Sequence, residues 1–128
     1  MGGFFRKFFE KNGCKVLVSS RRTKLKPEEC AKKSDIVMIS VPMGIAIKTI
    51  KKISPCINKD SLLIDTTSIK AGPVEAMLKH SKCEVIGMHP VFGPNVGSVK
   101  NQIIVVCPAR TRKWLRWIVH IFEKNGAK

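Results

Sequence analysis

An alcohol and an imidazole follow two apolar runs that lie close together along this sequence. Ser68 belongs to Asp65-Thr66-Thr67-Ser68-Ile69-Lys70, which ends the run at 62–64, and His89 opens His89-Pro90-Val91-Phe92-Gly93-Pro94 after the run at 85–88. Short apolar runs predict buried strands, and open α/β sheets bind their ligands at the carboxyl edge, where such strands end. An imidazole has an ordinary pKa of about 6.5, so it can act there as a neutral acceptor near pH 7. We therefore expect a site of chemistry at this edge.

The spacing of apolar residues predicts the elements that must position this pair. Four phenylalanines recur at helical spacing near the N-terminus, and Asn12-Gly13 is a typical helix stop, so the chain opens with a helix. Further helices are predicted at 28–33, 43–53, 73–80 and from 114 up to Asn125-Gly126, and strands at 15–19, 35–41, 62–64, 85–88 and 102–107. This alternation implies a mostly parallel sheet with helices on both faces.

The composition fits one domain and leaves a basic nucleic-acid-binding protein as an open alternative. The 128 residues are 44% hydrophobic, and 24 Lys plus Arg against 9 Asp plus Glu give a formal net charge of +15. Such a charge attracts polyanions by long-range electrostatics. The basic residues are spread over helices and loops, however, and no recognised RNA- or DNA-binding motif is present, so we expect no specific nucleic acid partner.

Cysteine usage and the lengths of the apolar stretches argue against several other classes. The five cysteines have no Cys-x-x-Cys spacing and no nearby pair of histidines, so we expect reduced, buried thiols and no metal site. No apolar stretch approaches the ~20 residues that cross a bilayer, and the N-terminus lacks the features of a secretory signal. We expect a cytoplasmic protein without a membrane partner.

With these elements in place, the sequence resembles the prephenate dehydrogenase family, whose members join an N-terminal nucleotide-binding domain to a C-terminal helical domain. The likeness covers essentially the whole chain: Met1-Gly2 with the aromatic-rich helix, residues 35–42, and the two motifs that carry Ser68 and His89. Those two motifs, in that order, are the specific part. Family members often have Met at the position of Val91.

The resemblance implies a Rossmann-like, doubly wound, mostly parallel α/β sheet that lacks its first strand, with residues 1–128 as a partial NAD(P)-binding domain. Gly2 would be the last glycine of the family's dinucleotide fingerprint, where a side chain would obstruct close packing of helix on strand. We expect the genomic sequence upstream of Met1 to encode an apolar strand that ends in glycines. The helical domain would begin after about Lys128 and would supply most of a homodimer interface, together with an arginine for the substrate's side-chain carboxylate.

The resemblance also implies roles for the two polar side chains. His89 would be catalytic, its neutral ring accepting a hydrogen bond from the substrate's ring hydroxyl as hydride leaves the same carbon, and Ser68 would bind and orient that hydroxyl. The alternatives are a histidine that merely caps a strand end and a serine that caps the following helix. Asp65 and Lys70 look like scaffold, with Asp65 holding the loop and Lys70 pairing with a carboxylate.

Cofactor contacts would come from the other strand ends. The strand at 15–19 ends where nucleotide-binding domains distinguish a ribose 2′-hydroxyl from a 2′-phosphate, and the two hydroxyls and two guanidiniums found here suit a phosphate, which favours NADP over NAD. These side chains belong to Ser19, Ser20, Arg21 and Arg22. Val41 and Pro42 would border the ribose and nicotinamide, as in relatives. A solvated basic loop and a simple strand stop are the respective alternatives.

Taken together, the residues and the resemblance predict the nucleotide-binding domain of an oxidoreductase. Its reaction would be the NADP-dependent oxidative decarboxylation of prephenate or arogenate in tyrosine biosynthesis, with this fragment weakly active or inactive alone. Two alternatives stay open: a non-catalytic nucleotide-binding remnant and a basic nucleic-acid-binding protein.

Overall fold

Five α-helices and four strands follow one another in the computed structural model, which describes residues 1–128. The helices are α1 (Gly2–Lys11), α2 (Pro27–Lys33), α3 (Met43–Ile53), α4 (Ala71–His80) and α5 (Trp114–Lys124). The strands are β1 (Ile36–Ile39), β2 (Leu62–Asp65), β3 (Glu84–Pro90) and β4 (Ile104–Arg110). None of these helices combines the length and the apolar character that crossing a membrane requires.

The strands form one sheet in the order β1-β2-β3-β4, with β1, β2 and β3 parallel and β4 antiparallel to β3. The parallel pairing of β3 with β2 ends where Gly87 lies opposite Asp65. The pairing of β3 with β4 continues further, until Pro90 lies opposite Ile104. His89 is therefore the next-to-last residue of β3, and the expectation that it follows the strand is wrong. The antiparallel partner lengthens β3 beyond the apolar run that the sequence displays.

Helices cover both faces of the sheet, as the alternation of elements predicts. On one face, α1 and α5 pack on β2 and β3 and share a core cluster with Ile64, Ile86 and Met88. On the other face, α2, α3 and α4 pack around Ile39, Leu63 and Val85. The doubly wound α/β architecture is confirmed, and the sheet contains no strand that precedes β1 in the chain.

The pairing of α1 with α5 is aromatic and ends in a matched pair of turns. The rings of Phe8 and Phe122 are stacked, with centroids 5.0 Å apart and planes 13° from parallel. Both helices end in the same five residues, Phe-Glu-Lys-Asn-Gly, at 9–13 and 122–126. Each final glycine has a positive φ, +86° and +87°, which a side chain would strain. The two asparagines are joined, because Asn125 Nδ2 donates to Asn12 Oδ1 at 2.9 Å.

The strand predicted at 15–19 does not form. These residues make no backbone hydrogen bonds with other backbone groups, and Leu17 and Val18 are 38% and 39% exposed. A strand exists only if a neighbour supplies the other half of its ladder, and no strand of the sheet lies hydrogen-bonded to this segment. The apolar residues 16–18 therefore lie in a segment without regular secondary structure.

The other predicted elements are present, most of them with shifted ends. The helix at 43–53 matches α3 in full, whereas α4 begins at Ala71, two residues before the predicted start. The strand predicted at 102–107 is Ile104–Arg110, because its bounds follow its antiparallel pairing with β3.

All five cysteines are free thiols, as expected. Only Cys83 is fully buried, so the expectation that all five are buried is wrong.

A buried carboxylate fixes α5 against the amino end of β3. Glu84 is 1% exposed, and its Oε1 accepts hydrogen bonds from the backbone N–H groups of Arg112 (2.6 Å), Lys113 (3.1 Å) and Trp114 (3.1 Å). Burial acts to raise the pKa of Glu84, but these hydrogen bonds and the charge of Arg112 together lower that pKa below its ordinary value. An anion at a helix N-terminus is also stabilised by the helix dipole. Nothing in the sequence analysis singled out this residue.

Candidate active site

The first turn of α1, the end of β1 and the end of β3 meet at the carboxyl edge of the sheet. A Cβ built on Gly2 would lie 3.9 Å from both Cβ and Oγ of Ser40, the residue that follows β1. Two residues further along α1, the ring of Phe4 contacts Phe92, with centroids 5.2 Å apart. The first turn of α1 thus contacts both the residue that follows β1 and the loop that follows His89.

Lys70 ties together the two strand ends that carry Ser68 and His89. Its Nζ donates to the backbone carbonyl of Asp65 at 3.1 Å, to Asp65 Oδ2, and to the carbonyl of Met88 at 2.9 Å. Asp65 ends β2, three residues before Ser68, and Met88 immediately precedes His89. The expected pairing of Lys70 with a carboxylate is confirmed, and the pair links the ends of β2 and β3.

The Asp65 carboxylate also holds the loop that follows it. It is fully buried, and Oδ2 accepts hydrogen bonds from the backbone N–H of Thr67 at 3.2 Å and from its hydroxyl at 2.6 Å. The Lys70 side chain, 17% exposed, neutralises this charge. A buried carboxylate requires such a partner and such donors, because an unpaired buried charge is strongly unfavourable. The scaffold role expected for Asp65 is confirmed.

Gly87 provides the space through which Lys70 reaches Met88. A Cβ at this position would stand 3.0 Å from Lys70 Cδ and 2.8 Å from Val74 Cγ2 of α4, both too close. Side chains alternate along a strand, so Gly87 faces the same side of the sheet as His89. Sequence reasoning did not single out Gly87, although a glycine inside an apolar strand signals a close approach of this kind.

The side chain of His89 is half-buried on the α3 and α4 side of the sheet, and its imidazole makes no hydrogen bond within the chain. Met88 points into the opposite cluster with α1 and α5, and alternation along β3 turns His89 the other way. The imidazole therefore does not cap the strand end. Its nitrogen atoms are free to bind a ligand.

Ser68 is exposed, and its hydroxyl makes no hydrogen bond within the chain. The helix that follows has Lys70 at its N-cap position without a side-chain cap, so the alternative in which Ser68 caps α4 is wrong. Thr67 and Lys70 hold the loop instead. Ser68 is thus left free at the edge where His89 also lies.

The loop at 19–22 is exposed and basic. Ser19 Oγ donates to the carbonyl of Leu25 at 2.7 Å, and Ser20 Oγ accepts from the backbone N–H of Arg22 at 3.2 Å. Arg21 and Arg22 are exposed and form no ion pair. The hydrogen bonds of these four side chains stay within residues 19–25, so the chain itself does not join this loop to Ser68 or His89.

Val41 and Pro42 connect β1 to α3. The strand ends at Ile39, two residues earlier than the predicted 41, because pairing with β2 ends where Ile39 lies opposite Asp65. Val41 is half-buried against the α3 and α4 cluster, and Pro42 is the exposed residue before α3, whose Ile45 N–H donates to the Pro42 carbonyl at 3.1 Å. Both residues lie at the carboxyl edge.

A groove of about 600 Å³ runs between α4 and β4 and reaches Lys70. Val74 and Leu78 of α4 and Cys107 of β4 supply part of its apolar lining. Neither Ser68 nor His89 lines this groove. The free side chains at the carboxyl edge therefore belong to a different surface.

Comparison with known proteins decides the family. Residues 11–128 match the family model described as prephenate dehydrogenase, nucleotide-binding domain. The chain belongs to this family. Its membership agrees with the fold and with the resemblance of the two motifs that carry Ser68 and His89.

Two curated relatives match over the entire chain. The T-protein of Haemophilus influenzae is 30% identical over 128 residues, which are 34% of its own length. The probable arogenate/prephenate dehydrogenase of Methanocaldococcus jannaschii is 33% identical over 147 residues, 33% of its length. The chain thus spans about a third of the length of these relatives.

Solved structures share the fold. Prephenate dehydrogenase from Aquifex aeolicus superposes with a TM-score of 0.64 at 22% identity, covering 79% of this chain and 39% of that protein. Synechocystis arogenate dehydrogenase gives a TM-score of 0.65 at 19% identity, with 76% and 38% covered. The Aquifex protein has also been crystallised in complex with hydroxyphenyl propionate and NAD+. The Rossmann-like fold expected from the sequence is confirmed.

Proposed function

We propose that this chain is the nucleotide-binding part of an NADP-dependent dehydrogenase that oxidatively decarboxylates prephenate or arogenate. The observation that carries the proposal is the meeting of three elements at one edge: the first turn of α1, the end of β1 and the end of β3, which carries His89. Membership in the prephenate dehydrogenase family supports the choice of reaction for this edge. The choice of substrates is supported by the M. jannaschii relative, which is named for both.

The free side chains fit the handling of a hydroxyl group. In the proposed reaction the His89 ring accepts a hydrogen bond from the hydroxyl on the reacting carbon, and Ser68 orients that hydroxyl. A neutral imidazole suits this role near neutral pH. Since neither side chain is engaged within the chain, no internal bond has to break when a substrate arrives.

The α1 end and the basic loop fit a phosphorylated dinucleotide. The first turn of α1 has no side-chain cap and no acidic residue, so its N–H groups are free for a pyrophosphate. Arg21 and Arg22 are exposed without carboxylate partners, and planar guanidiniums bind phosphate through paired hydrogen bonds. When bound, NADP accepts the hydride of the reaction. Gly2, Ser19, Ser20, Val41 and Pro42 complete the proposed cofactor contacts.

The cofactor choice is tested by titrating NADPH and NADH into the purified chain and into Arg21→Gln/Arg22→Gln. We expect NADPH to bind the unmodified chain more tightly than NADH, and the double variant to lose about tenfold for NADPH alone, the effect of one charge-assisted hydrogen bond. Arg116→Gln/Lys124→Gln removes the same charge from the exposed side of α5 and should leave the preference intact. Equal losses in both double variants would mean that the loop acts by net charge only.

A non-catalytic nucleotide-binding domain is the second candidate, because the chain spans only about a third of its relatives. Both NADPH binding and prephenate turnover are measured for the chain alone and for the chain to which an apolar strand and a glycine turn have been added at the N-terminus. Binding with no turnover in either form favours the second candidate, and the absence of binding in both overturns the cofactor proposal.

The remaining partners follow from the same proposal. The substrate is a small molecule, the longer proteins of the family are expected to form homodimers, and the location is the cytoplasm. DNA binding that the net charge of +15 causes should be independent of sequence and should fall steeply with salt.

A further inference from the structure

Two aromatic rings from distant parts of the sequence join the proposed cofactor end of α1 to the segment that follows His89. Phe4 lies in the first turn of α1, and Phe92 lies two residues beyond the end of β3. Their ring centroids are 5.2 Å apart at an interplanar angle of 63°, which is an edge-on contact of the favourable type. Phe4 in turn contacts Phe5 at 5.4 Å, and Phe5 is only 2% exposed. Phe92 is therefore anchored to the core through α1.

The segment beyond His89 has few other attachments. Backbone pairing with β4 reaches its last bond where Val91 N–H donates to the Ile103 carbonyl at 2.9 Å. The Val91 side chain is 52% exposed, and residues 93–95 are all exposed. Phe92 is the side chain of this stretch that packs on the α1 and α5 cluster. Its ring thus limits how far the backbone around His89 can move.

We infer that Phe92 is a positioning residue, which, through its contact with Phe4, sets the orientation of His89 according to the state of the first turn of α1. The inference rests on the proposed function in that it takes this turn to be the site of the cofactor pyrophosphate. A ligand that orders the turn then orders Phe4, Phe92 and the backbone of His89 in sequence. Each ring of the contact anchors the other, so loss of the Phe92 ring releases both Phe4 and the backbone around His89.

The first test needs no cofactor. In the isotopically labelled chain, Phe92→Ala and Phe4→Ala should each shift the ring signals of His89 and lower the backbone order parameters of residues 91–93 from about 0.85 to 0.6 or below. Phe92→Leu, which retains an apolar anchor, should restore most of the order. Since the chain has three histidines, His80→Gln and His120→Gln assign the remaining ring signal to His89.

Phe9→Ala is the matched control. Phe9 lies on the same helix, but its ring stacks on Trp117 at 6.4 Å within the pairing of α1 with α5 and has no contact with Phe92. This variant should leave His89 unchanged even if it lowers the melting temperature. Unchanged His89 signals in both Phe92→Ala and Phe4→Ala, or an equal shift in Phe9→Ala, would overturn the inference.

A second measurement separates this inference from the proposed function. ADP-ribose 2′-phosphate contains the pyrophosphate but no nicotinamide, so a shift of the His89 signals on its binding cannot come from contact with a nicotinamide ring. It should shift the His89 signals in the unmodified chain and in Phe92→Leu, and the shift should be lost in Phe92→Ala. Failure of this compound to bind the unmodified chain counts against the cofactor proposal, whereas binding with an equal His89 shift in Phe92→Ala counts against the positioning role.

Discussion

Replacement of Gly87 by alanine tests whether the Lys70 bridge depends on an empty space in β3. The added Cβ would stand 2.8 Å from Val74 Cγ2 and 3.0 Å from Lys70 Cδ. Neither neighbour can move easily, because Val74 is β-branched and belongs to α4, while the far end of Lys70 is held by three oxygen atoms. The clash must therefore be relieved by shifting α4 or by breaking the bridge.

Insertion of a methyl group into a filled site costs about 1–3 kcal/mol of folding free energy. For a chain of 128 residues, each kcal/mol lowers the melting temperature by about 4 °C. We therefore expect Gly87→Ala to melt about 4–12 °C below the unmodified chain. The measurement is thermal unfolding followed by circular dichroism, together with urea unfolding for the free energy.

Gly97→Ala is the control, because Gly97 is exposed and a Cβ there would meet nothing within 4 Å. Its unfolding free energy should change by no more than about 0.5 kcal/mol. In the double variant Gly87→Ala/Val74→Ala, the atom that clashes most is gone, so the double variant should be less destabilised than the sum of its two single changes. Wild-type stability of Gly87→Ala, or strict additivity in the double variant, would refute this account of the bridge.

Three further changes test the packing of the rest of the chain. Lys70→Met leaves the buried Asp65 carboxylate without its cation. The free energy of unfolding, measured in urea, should therefore fall by about 3 kcal/mol. A decrease of less than about 1 kcal/mol would mean that the pair is not buried in solution. Glu84 has a folded pKa below its unfolded value of about 4.3, so its stabilisation is complete above that pH and is lost as the pH falls through the folded pKa. The difference in unfolding free energy between the unmodified chain and Glu84→Gln should accordingly shrink below about pH 4, and a difference independent of pH would contradict the assigned hydrogen bonds. Phe8→Ala removes the ring stacked on Phe122 and should cost about 3 kcal/mol by urea unfolding, unless α1 does not pack on α5 in solution.

The sequence was most informative where the physical cause of a structure is local. The helix at 43–53 was predicted with its true bounds, because its apolar period lies within the segment and the Ser54-Pro55 stop follows it directly. The pairing of Lys70 with a carboxylate was also predicted, without naming the partner, and the structure shows that this partner, Asp65, is five positions away. In both cases the partners that define the feature are near in the chain.

Features that depend on distant partners could not be predicted in this way. The segment at 15–19 has the composition of a strand but no ladder partner, and the end of β3 is set by β4, whose residues come after it in the chain. The partners of Glu84 lie 28–30 residues away. The absence of a side chain at Gly87 matters only because Lys70 and Val74, at the start of α4, pack against it.

The candidate site also combines features that the sequence predicts with features that depend on distant partners. The motifs and the resemblance led to Ser68 and His89, and the structure adds that both side chains are free and that Lys70 joins the strand ends that carry them. The contact of Phe4 with Phe92 joins residues 88 positions apart, and no local pattern could have revealed it.

The most direct test of the account is the position of the nicotinamide ring relative to His89. Intermolecular nuclear Overhauser effects are measured between bound NADPH and the labelled chain. The account predicts contacts from the nicotinamide protons to the His89 ring and from the adenosine ribose to residues 19–22. Nicotinamide contacts confined to the opposite edge of the sheet, beside Glu84 and the start of α5, would contradict it.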